Sequence, residues 1–369
     1  VADPQRTCYG HAFVLLAYAT AAKADVPRAE AAVHETADLV VERFWEDEHG
    51  LCRGKLDEDW APLEDYRGQN ANMHTCEAFI AAYEATGDEE YLDRATTIAE
   101  NLARDLADAG DGLLWEHYTT DWEHDWEYNR DQPAHLFRPW GYQPGHLLEW
   151  AKLLCTLHEH RGDDWLVERA AHFFDAAVEH GWDDERGGLV YNFDRDGEVI
   201  LPDKYYWPPC EGMGAAARLA TTTGDDDYWA WYDRFWDYSW EHLVNPRYGN
   251  WYFKLTPDNQ VHDDIDDTPT VACSRCDAEW NLEYELDTLR VGNRAVERFA
   301  LDHKRHAGHF PDEVRPWTVD CEQCPDGDEF LSERPARRWA ETHARHTGHP
   351  VTLTAPESGT STVGPEDVR

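Results

Sequence analysis

One pattern recurs four times between residues 9 and 245. A loop rich in aromatic residues, Gly or Pro leads into a helix of small apolar residues, a polar turn follows, and a second, amphipathic helix returns. The first helices read YGHAFVLLAYATAA, NANMHTCEAFIAAYEA, QPGHLLEWAKLLCTLHEH and PPCEGMGAAARLATT. The turns read KADVP, TGDEEY, RGDDW and TGDDDY, and the second helices are expected to begin near Arg28, Tyr91, Trp165 and Tyr228. The turn markers Asp25, Asp88, Asp163 and Asp225 lie 63, 75 and 62 residues apart, the spacing of helical hairpins stacked as an array or closed into a toroid. Each second helix carries the 3.6-residue stripe of a surface helix, for example Leu92, Ala95, Ile98, Ala99 and Leu102. The first helices are apolar all round, as expected of an inner ring covered by an outer one. The links FWEDEHGLCRGKLD, DAGDGLLWEHYTTD and GWDDERGGLVYNFDRDG pair turn signals with short alternating stretches and predict small β-hairpins on one rim. Loops on one rim converge, so their aromatics and histidines are expected to surround a single pocket.

The chain carries 33 basic and 75 acidic groups in 369 residues, a net charge of −42. A hydrophobic share of 41% with 18 Trp excludes the disorder that such a charge otherwise accompanies. With 6 Lys against 27 Arg and so many carboxylates, the composition resembles cytosolic proteins of salt-accumulating halophiles, in which salt screens the self-repulsion. The charge argues against general binding to nucleic acid or to an anionic membrane, since phosphate contact needs clustered cations. The most apolar stretch, 12–22, is too short to span a bilayer, and there is no signal-peptide pattern, so a cytoplasmic location is expected. Cys8, Cys52, Cys76, Cys155 and Cys210 are scattered and read as small buried hydrophobes in a reducing compartment.

Three loop-to-helix segments carry a longer signature: EDYRGQNANMHTCEAF (64–79), QPAHLFRPWGYQPGHLLEWAKLL (132–154) and KYYWPPCEGMGAA (204–216). They resemble the N-acylglucosamine 2-epimerase superfamily, and the NANMH and PGH-x-x-E forms look most like its mannose and sulfoquinovose aldose–ketose isomerases. The match covers roughly residues 6–262. It implies an all-α fold of the (α/α)6-barrel type. It also implies a sugar isomerase or epimerase acting on an open-chain aldose through an enediol, by histidine general acid/base catalysis and without a cofactor. The family has six hairpins where four are recognised here, so the toroid is expected to be incomplete, with open ends covered by the tail or by another subunit. The family's second catalytic histidine, on its last helix, has no matching position, because a C-x-x-C region stands there instead; activity therefore hangs on the remaining groups.

Removing a proton alpha to a carbonyl suits a side chain that titrates near neutrality. His146, after Pro144-Gly145 at a predicted helix start, is the expected base. Glu149, three residues on, is expected to support its imidazolium; the alternative is a capping histidine. The resemblance places Asn70 and His74 on the sugar and aligns Tyr9 and Trp207 with pocket aromatics. Arg138 either binds hydroxyls or the enediolate, or sits in a salt bridge. Glu116, His117, His135 and Glu211 are secondary candidates that rim or cap roles explain equally well. A glycoside hydrolase of the same fold would need two carboxylates flanking the bond, and the histidine loops speak against it.

The character changes after about residue 265. Residues 1–269 carry 21 basic and 56 acidic groups, residues 270–369 only 12 and 19. The chain is thus expected to divide into a toroid-like part (1–265), a pair of modules (270–354) and a disordered Pro-, Gly-, Ser- and Thr-rich end (355–369). Each module is a C-x-x-C pair followed by three spaced histidines: Cys273 and Cys276 with His303, His306 and His309, then Cys321 and Cys324 with His343, His346 and His349. This is the ligand grammar of structural zinc, with the choice of two histidines in each module open. A reduced dithiol beside a solvated histidine-rich helix is the alternative, and a scaffold whose function resides in zinc modules is the competing reading of the whole chain. The segment ERPARRWAETHARHTGH has local basic charge, a weak signal for a partner or nucleic acid.

Overall fold

A computed structural model describes residues 5–135, 137–245, 250–262, 270–273, 275–276, 278–281, 293–311, 314–356 and 359–366. The chain divides into two compact units after His262. In unit 1 the four expected hairpins are present: α1 (Cys8–Lys23) with α2 (Ala29–Arg43), α3 (Gln69–Thr86) with α4 (Glu89–Ala99), α6 (Pro144–Arg161) with α7 (Asp164–Gly181), and α8 (Trp207–Thr223) with α9 (Asp227–Tyr238). A π-helical turn Glu100–Leu106 and the short α5 (Ala107–Ala109) prolong α4. The first helices pack side by side, α1 on α3, α3 on α6 and α6 on α8, and each second helix covers the first helix of its own hairpin. The expected stripe Leu92, Ala95, Ile98, Ala99 and Leu102 is buried throughout. In α6 the burial runs unbroken from Pro144 to Ala151, because it has neighbours on both sides and an outer helix behind.

Three turns share one mechanism. Gly87, Gly162 and Gly224 end their helices at φ of 74°, 78° and 73°, a left-handed conformation that glycine adopts without a Cβ clash. Asp88, Asp163 or Asp226 then stands at the N-cap of the returning helix. The first turn lacks the glycine, and Asp25 and Arg28 take positive φ themselves, at 57° and 71°.

The rim carries the expected short strands, with one difference in pairing. Trp45–Glu46 pairs with Leu51–Cys52, and Asn192–Phe193 with Val199–Leu201, as local hairpins. His117–Tyr118 instead pairs with Arg67–Gly68, before α3. That non-local ladder, invisible to local turn signals, sets the site. Of the five scattered cysteines, Cys8, Cys52, Cys76 and Cys155 are buried as expected; Cys210, in the first turn of α8, is exposed.

Unit 2 contains two hairpin-and-helix modules. Thr270–Cys273 pairs with Ala278–Asn281 ahead of α10 (Asn293–Ala307). Trp317–Cys321 and Gly327–Phe330 precede α11 (Glu333–Thr347), and Val351–Thr354 and Thr360–Val363 complete a four-stranded antiparallel sheet. The last strand corrects the expectation of a disordered end: the Ser/Thr-rich segment alternates well enough to bury Val363 and pair with Val351. The core of this module is small, consisting of Val319, Ala336, Ala340, Ala344, Val351, Leu353 and Val363.

Replacing Gly162 with Ala adds no clash, since nothing lies within 4 Å of the new Cβ, but leaves the residue in the left-handed region. We expect a loss of about 1 kcal/mol, measured by chemical denaturation.

Candidate functional site

The pairing of Gly68 with His117 brings Glu116 beside the first residue of α3, where the Gln69 backbone N–H donates to the Glu116 carbonyl at 3.2 Å. Arg67 donates two hydrogen bonds to Glu46, at 2.7 Å from Nε and 2.7 Å from Nη2. Gly68 must be glycine here, because a Cβ would lie 2.5 Å from the Tyr66 hydroxyl.

Three side chains then meet. His146 Nδ1 lies 2.9 Å from Glu116 Oε1, and the Gln69 side-chain amide is 3.0 Å from Glu116 Oε2 and 2.9 Å from His146 Nδ1. Trp150 Nε1 donates to Gln69 Oε1 at 2.9 Å, which orients the amide with its NH2 towards the carboxylate. Glu116 is 4% exposed and His146 7%. Burial alone would raise the Glu116 pKa, yet His146 and the Gln69 amide outweigh it and hold the carboxyl below its ordinary value. An ionised Glu116 favours the tautomer that directs Nδ1–H at its Oε1, and in that tautomer the ring's lone pair is on Nε2. A carboxylate on one nitrogen and a basic lone pair on the other is the arrangement of a general base. Trp207, the first residue of α8, lies against the ring at a centroid distance of 5.3 Å. Gly145 permits this approach, since a Cβ there would come within 2.3 Å of the indole.

The expected pairing of His146 with Glu149 is corrected. The i,i+3 spacing does set both on one helix, but the ring meets the carboxylate from the rim, and Glu149 meets His74, with Nδ1 to Oε1 at 3.5 Å. His74 also lies 3.3 Å from Glu77, and Lys152 bonds Glu211 and lies 4.0 Å from Glu77. This second cluster spans α3, α6 and α8. Within it, burial and the neighbouring carboxylates Glu211 and Glu77 push Glu149 up to about 7, against the pull of His74 and Lys152. Tyr9 and Phe13 pack on His74 at 5.1 and 4.8 Å between centroids.

Asn70 presents a buried Oδ1 without a hydrogen-bond partner among the described residues. Such an atom is costly unless something outside the chain donates to it. Arg138 takes its salt-bridge alternative: it grips Glu64 at 2.8 and 2.9 Å, receives Tyr128 as partner at 2.8 Å and stacks over Tyr66 at 3.9 Å. Both His117 nitrogens are engaged, by the Tyr66 hydroxyl at 3.0 Å and the Pro139 carbonyl at 2.8 Å. His135 is exposed and accepts from the backbone N–H groups of Phe137 and Arg138. Gln69, Glu77, Trp150 and Lys152 were not singled out from the sequence; RGQNANMH contains Gln69, but nothing in its spacing points to a partner 77 residues away.

Residues 1–270 match the N-acylglucosamine 2-epimerase family. The chain belongs to that family. It is 44% identical over 262 residues to a D-mannose isomerase of Marinomonas mediterranea, covering 71% of this chain and 66% of the relative. To a D-mannose isomerase of Thermobifida fusca it is 42% identical, covering 70% and 64%. A crystal structure of D-mannose isomerase superimposes with a TM-score of 0.69 at 43% identity, over 70% of this chain and 66% of that one. The chain therefore spans just under two thirds of the length of these relatives. A cellobiose 2-epimerase from Bacillus thermoamylovorans, at 16% identity and a TM-score of 0.61 over 70% and 66% of the two chains, shares the fold of helical hairpins. Residues 254–366 match a family of unknown function. No helix among the described residues is long and apolar enough to cross a membrane.

Glu149 gives a pH prediction. Its proton is held up to about pH 7 in the fold, against a value of 4.5 for the unconstrained carboxyl. Its contribution to stability is thus complete below pH 4.5 and lost as pH rises through about 7. The loss is on the order of 3 kcal/mol. Denaturant titrations between those limits should show this slope in the parent chain and a flatter one in Glu149→Gln.

Proposed function

We propose that unit 1 is an aldose–ketose isomerase whose substrate is an open-chain aldose of the D-mannose type. The observation that carries the reading is the Gln69–Glu116–His146 arrangement, which leaves a buried imidazole with its lone pair on Nε2. His146 takes the proton from C2 of the aldehyde form, and the electron pair moves through C1 to the carbonyl oxygen to give the enediolate. A proton returns from His146 to C1, in part after exchange with solvent, while the O2 hydroxyl proton passes to O1, so that O2 becomes the carbonyl and O1 the hydroxyl. No cofactor is required, since no electrons leave the sugar. Glu116 fixes the tautomer and stabilises the imidazolium, Asn70 Oδ1 receives a sugar hydroxyl, and Trp207 lies along the apolar face of the substrate.

Isomerisation is favoured over epimerisation because one base suffices: transfer from C2 to C1 takes place on one face of a cis-enediol. Epimerisation needs a donor on the opposite face, a task that would fall to the His74–Glu149 pair. We expect His146→Ala to abolish exchange of the C2 hydrogen with deuterated solvent; retained exchange would remove His146 from the mechanism. Glu116→Gln should lower kcat roughly a hundredfold to ten-thousandfold with little change in KM.

We also infer that unit 2 holds two structural zinc ions, on Cys273, Cys276, His303 and His309 and on Cys321, Cys324, His343 and His349. The ligand atoms of each set lie within 4.8 Å of one another. The S···N separations of 3.1, 3.4 and 3.8 Å in the first set and 3.4 and 3.6 Å in the second bracket the edge of about 3.5 Å in a tetrahedral Cys2His2 site. A core with three alanines among seven residues is too small to hold the module unaided. His306 and His346 fall outside both sets, exposed on their helices. Metal analysis should therefore return two zinc ions per chain, one in His309→Ala or His349→Ala, and two in His306→Ala or His346→Ala.

A further inference from the structure

The two Cys/His clusters of unit 2 lie in separate modules, yet one short strand reaches both. Gly327–Phe330 belongs to the second module, where it pairs with Trp317–Cys321, Val319 opposite Asp328 and Thr318 opposite Glu329. Its path from the second cluster is short. The Cys321 backbone N–H donates to the Asp326 carbonyl at 2.9 Å, and the Cys324 thiol lies 3.4 Å from the Asp326 carboxylate. Asp328 and Glu329 follow at once in the chain.

From the other side, each ligand-bearing segment of the first module meets this pair. Lys304, next to His303, donates to the Asp328 carboxylate at 2.5 Å and to the Glu329 carbonyl. Phe310, next to His309, donates its backbone N–H to Glu329 Oε2 at 3.3 Å, and its side chain is buried. Arg275, between Cys273 and Cys276, lies 3.9 Å from Glu329 Oε1. The Lys304 ammonium also sits over two rings, Phe310 of the first module and Phe330 of the second, 5.0 Å from each centroid. These contacts differ in weight. Arg275 is mostly exposed, and an ion pair of that kind contributes little. Lys304 is largely withdrawn from water and combines an ion pair with two ring faces, so it and Phe310 carry the junction.

A module whose core is too small to stand unaided folds as its metal binds, so metal affinity contains the free energy of folding. Contacts between two such modules form only when both are folded, and their free energy therefore adds to whichever ion binds second. We propose that the two zinc sites of unit 2 are coupled through Asp328 and Glu329, so that zinc in either module raises the affinity of the other. Modules strung independently on a linker would share neither an ammonium between their rings nor a carboxylate beside three ligand-bearing segments. The coupling makes unit 2 close to all-or-none: both ions are held or lost over a narrow range of free zinc.

The inference rests on the zinc reading of unit 2 and is independent of the isomerase reading. Zinc affinities are measured on the full chain by competition with a chromophoric chelator, with total metal and helix content recorded for every variant. With the first site crippled by His309→Ala, the second should bind zinc on the order of tenfold more weakly than in the parent chain. Linkage requires an equal loss in the other direction, so His349→Ala should weaken the first site by the same factor. The variant Asp328→Asn/Glu329→Gln keeps every ligand of both sites and should still hold two zinc ions. In that background the effect of His309→Ala or His349→Ala on the remaining site should shrink to about threefold or less. Losses that persist undiminished there, or a remaining site indifferent to its neighbour in the parent chain, would overturn the proposal. A parent chain that returns no zinc on metal analysis would remove the zinc reading and the coupling together, an outcome distinct from two uncoupled ions.

Discussion

The contact on which unit 1 depends is the one between Glu116 and His146. It joins a two-residue strand on the rim to the first turn of α6, and Gln69 adds the first turn of α3 to the same junction. A buried carboxylate is costly unless nearly every lone pair is satisfied. The chain meets that requirement with an imidazole, a side-chain amide and an indole holding the amide in place. The same bonds that relieve the burial hold the imidazole in place, so the stability of the junction and the position of Nε2 have one cause.

Much of this was legible in the sequence. The hairpin repeat and the apolar stripes follow from periodicity, and three of the four turns from Gly-Asp punctuation, both local signals. His146 stood out because Pro-Gly before a histidine marks a helix start, and the structure confirms that position. The carboxylate beside it was misread for an instructive reason. Glu149 is three residues along the same helix, and sequence spacing reports only neighbours within an element. Glu116 arrives through the ladder of Gly68 with His117, a pairing over about fifty residues that leaves no periodic trace. Arg138 shows the converse: an arginine in a family-like loop whose guanidinium is taken up by Glu64.

In unit 2 the grouping of cysteines with histidines was readable, while which two of the three histidines approach the thiols was not. His303 and His343 reach the thiols from the last turn of a helix, and His309 and His349 do so only after a left-handed glycine reverses the chain. His306 and His346, three residues on, lie about 60° round the helix from the first histidine and about 4.5 Å further along it, and both are exposed. The final strand was hidden for a compositional reason, since Ser and Thr signal both solvated tails and exposed faces of edge strands.

The π-helical turn at Glu100–Leu106 has a consequence for how the array could be altered. A wide turn of this kind accommodates one residue beyond the α-helical repeat, so the chain after it is rotated with respect to the rest of α4. The segment Leu114 to Tyr118, which carries Glu116, begins a few residues further on. Deleting one residue from that turn would restore regular winding and shorten the chain that leads from α4 to the ladder at Gly68. The register of an outer helix, remote from His146, thereby bears on how the Glu116 carboxylate reaches its place.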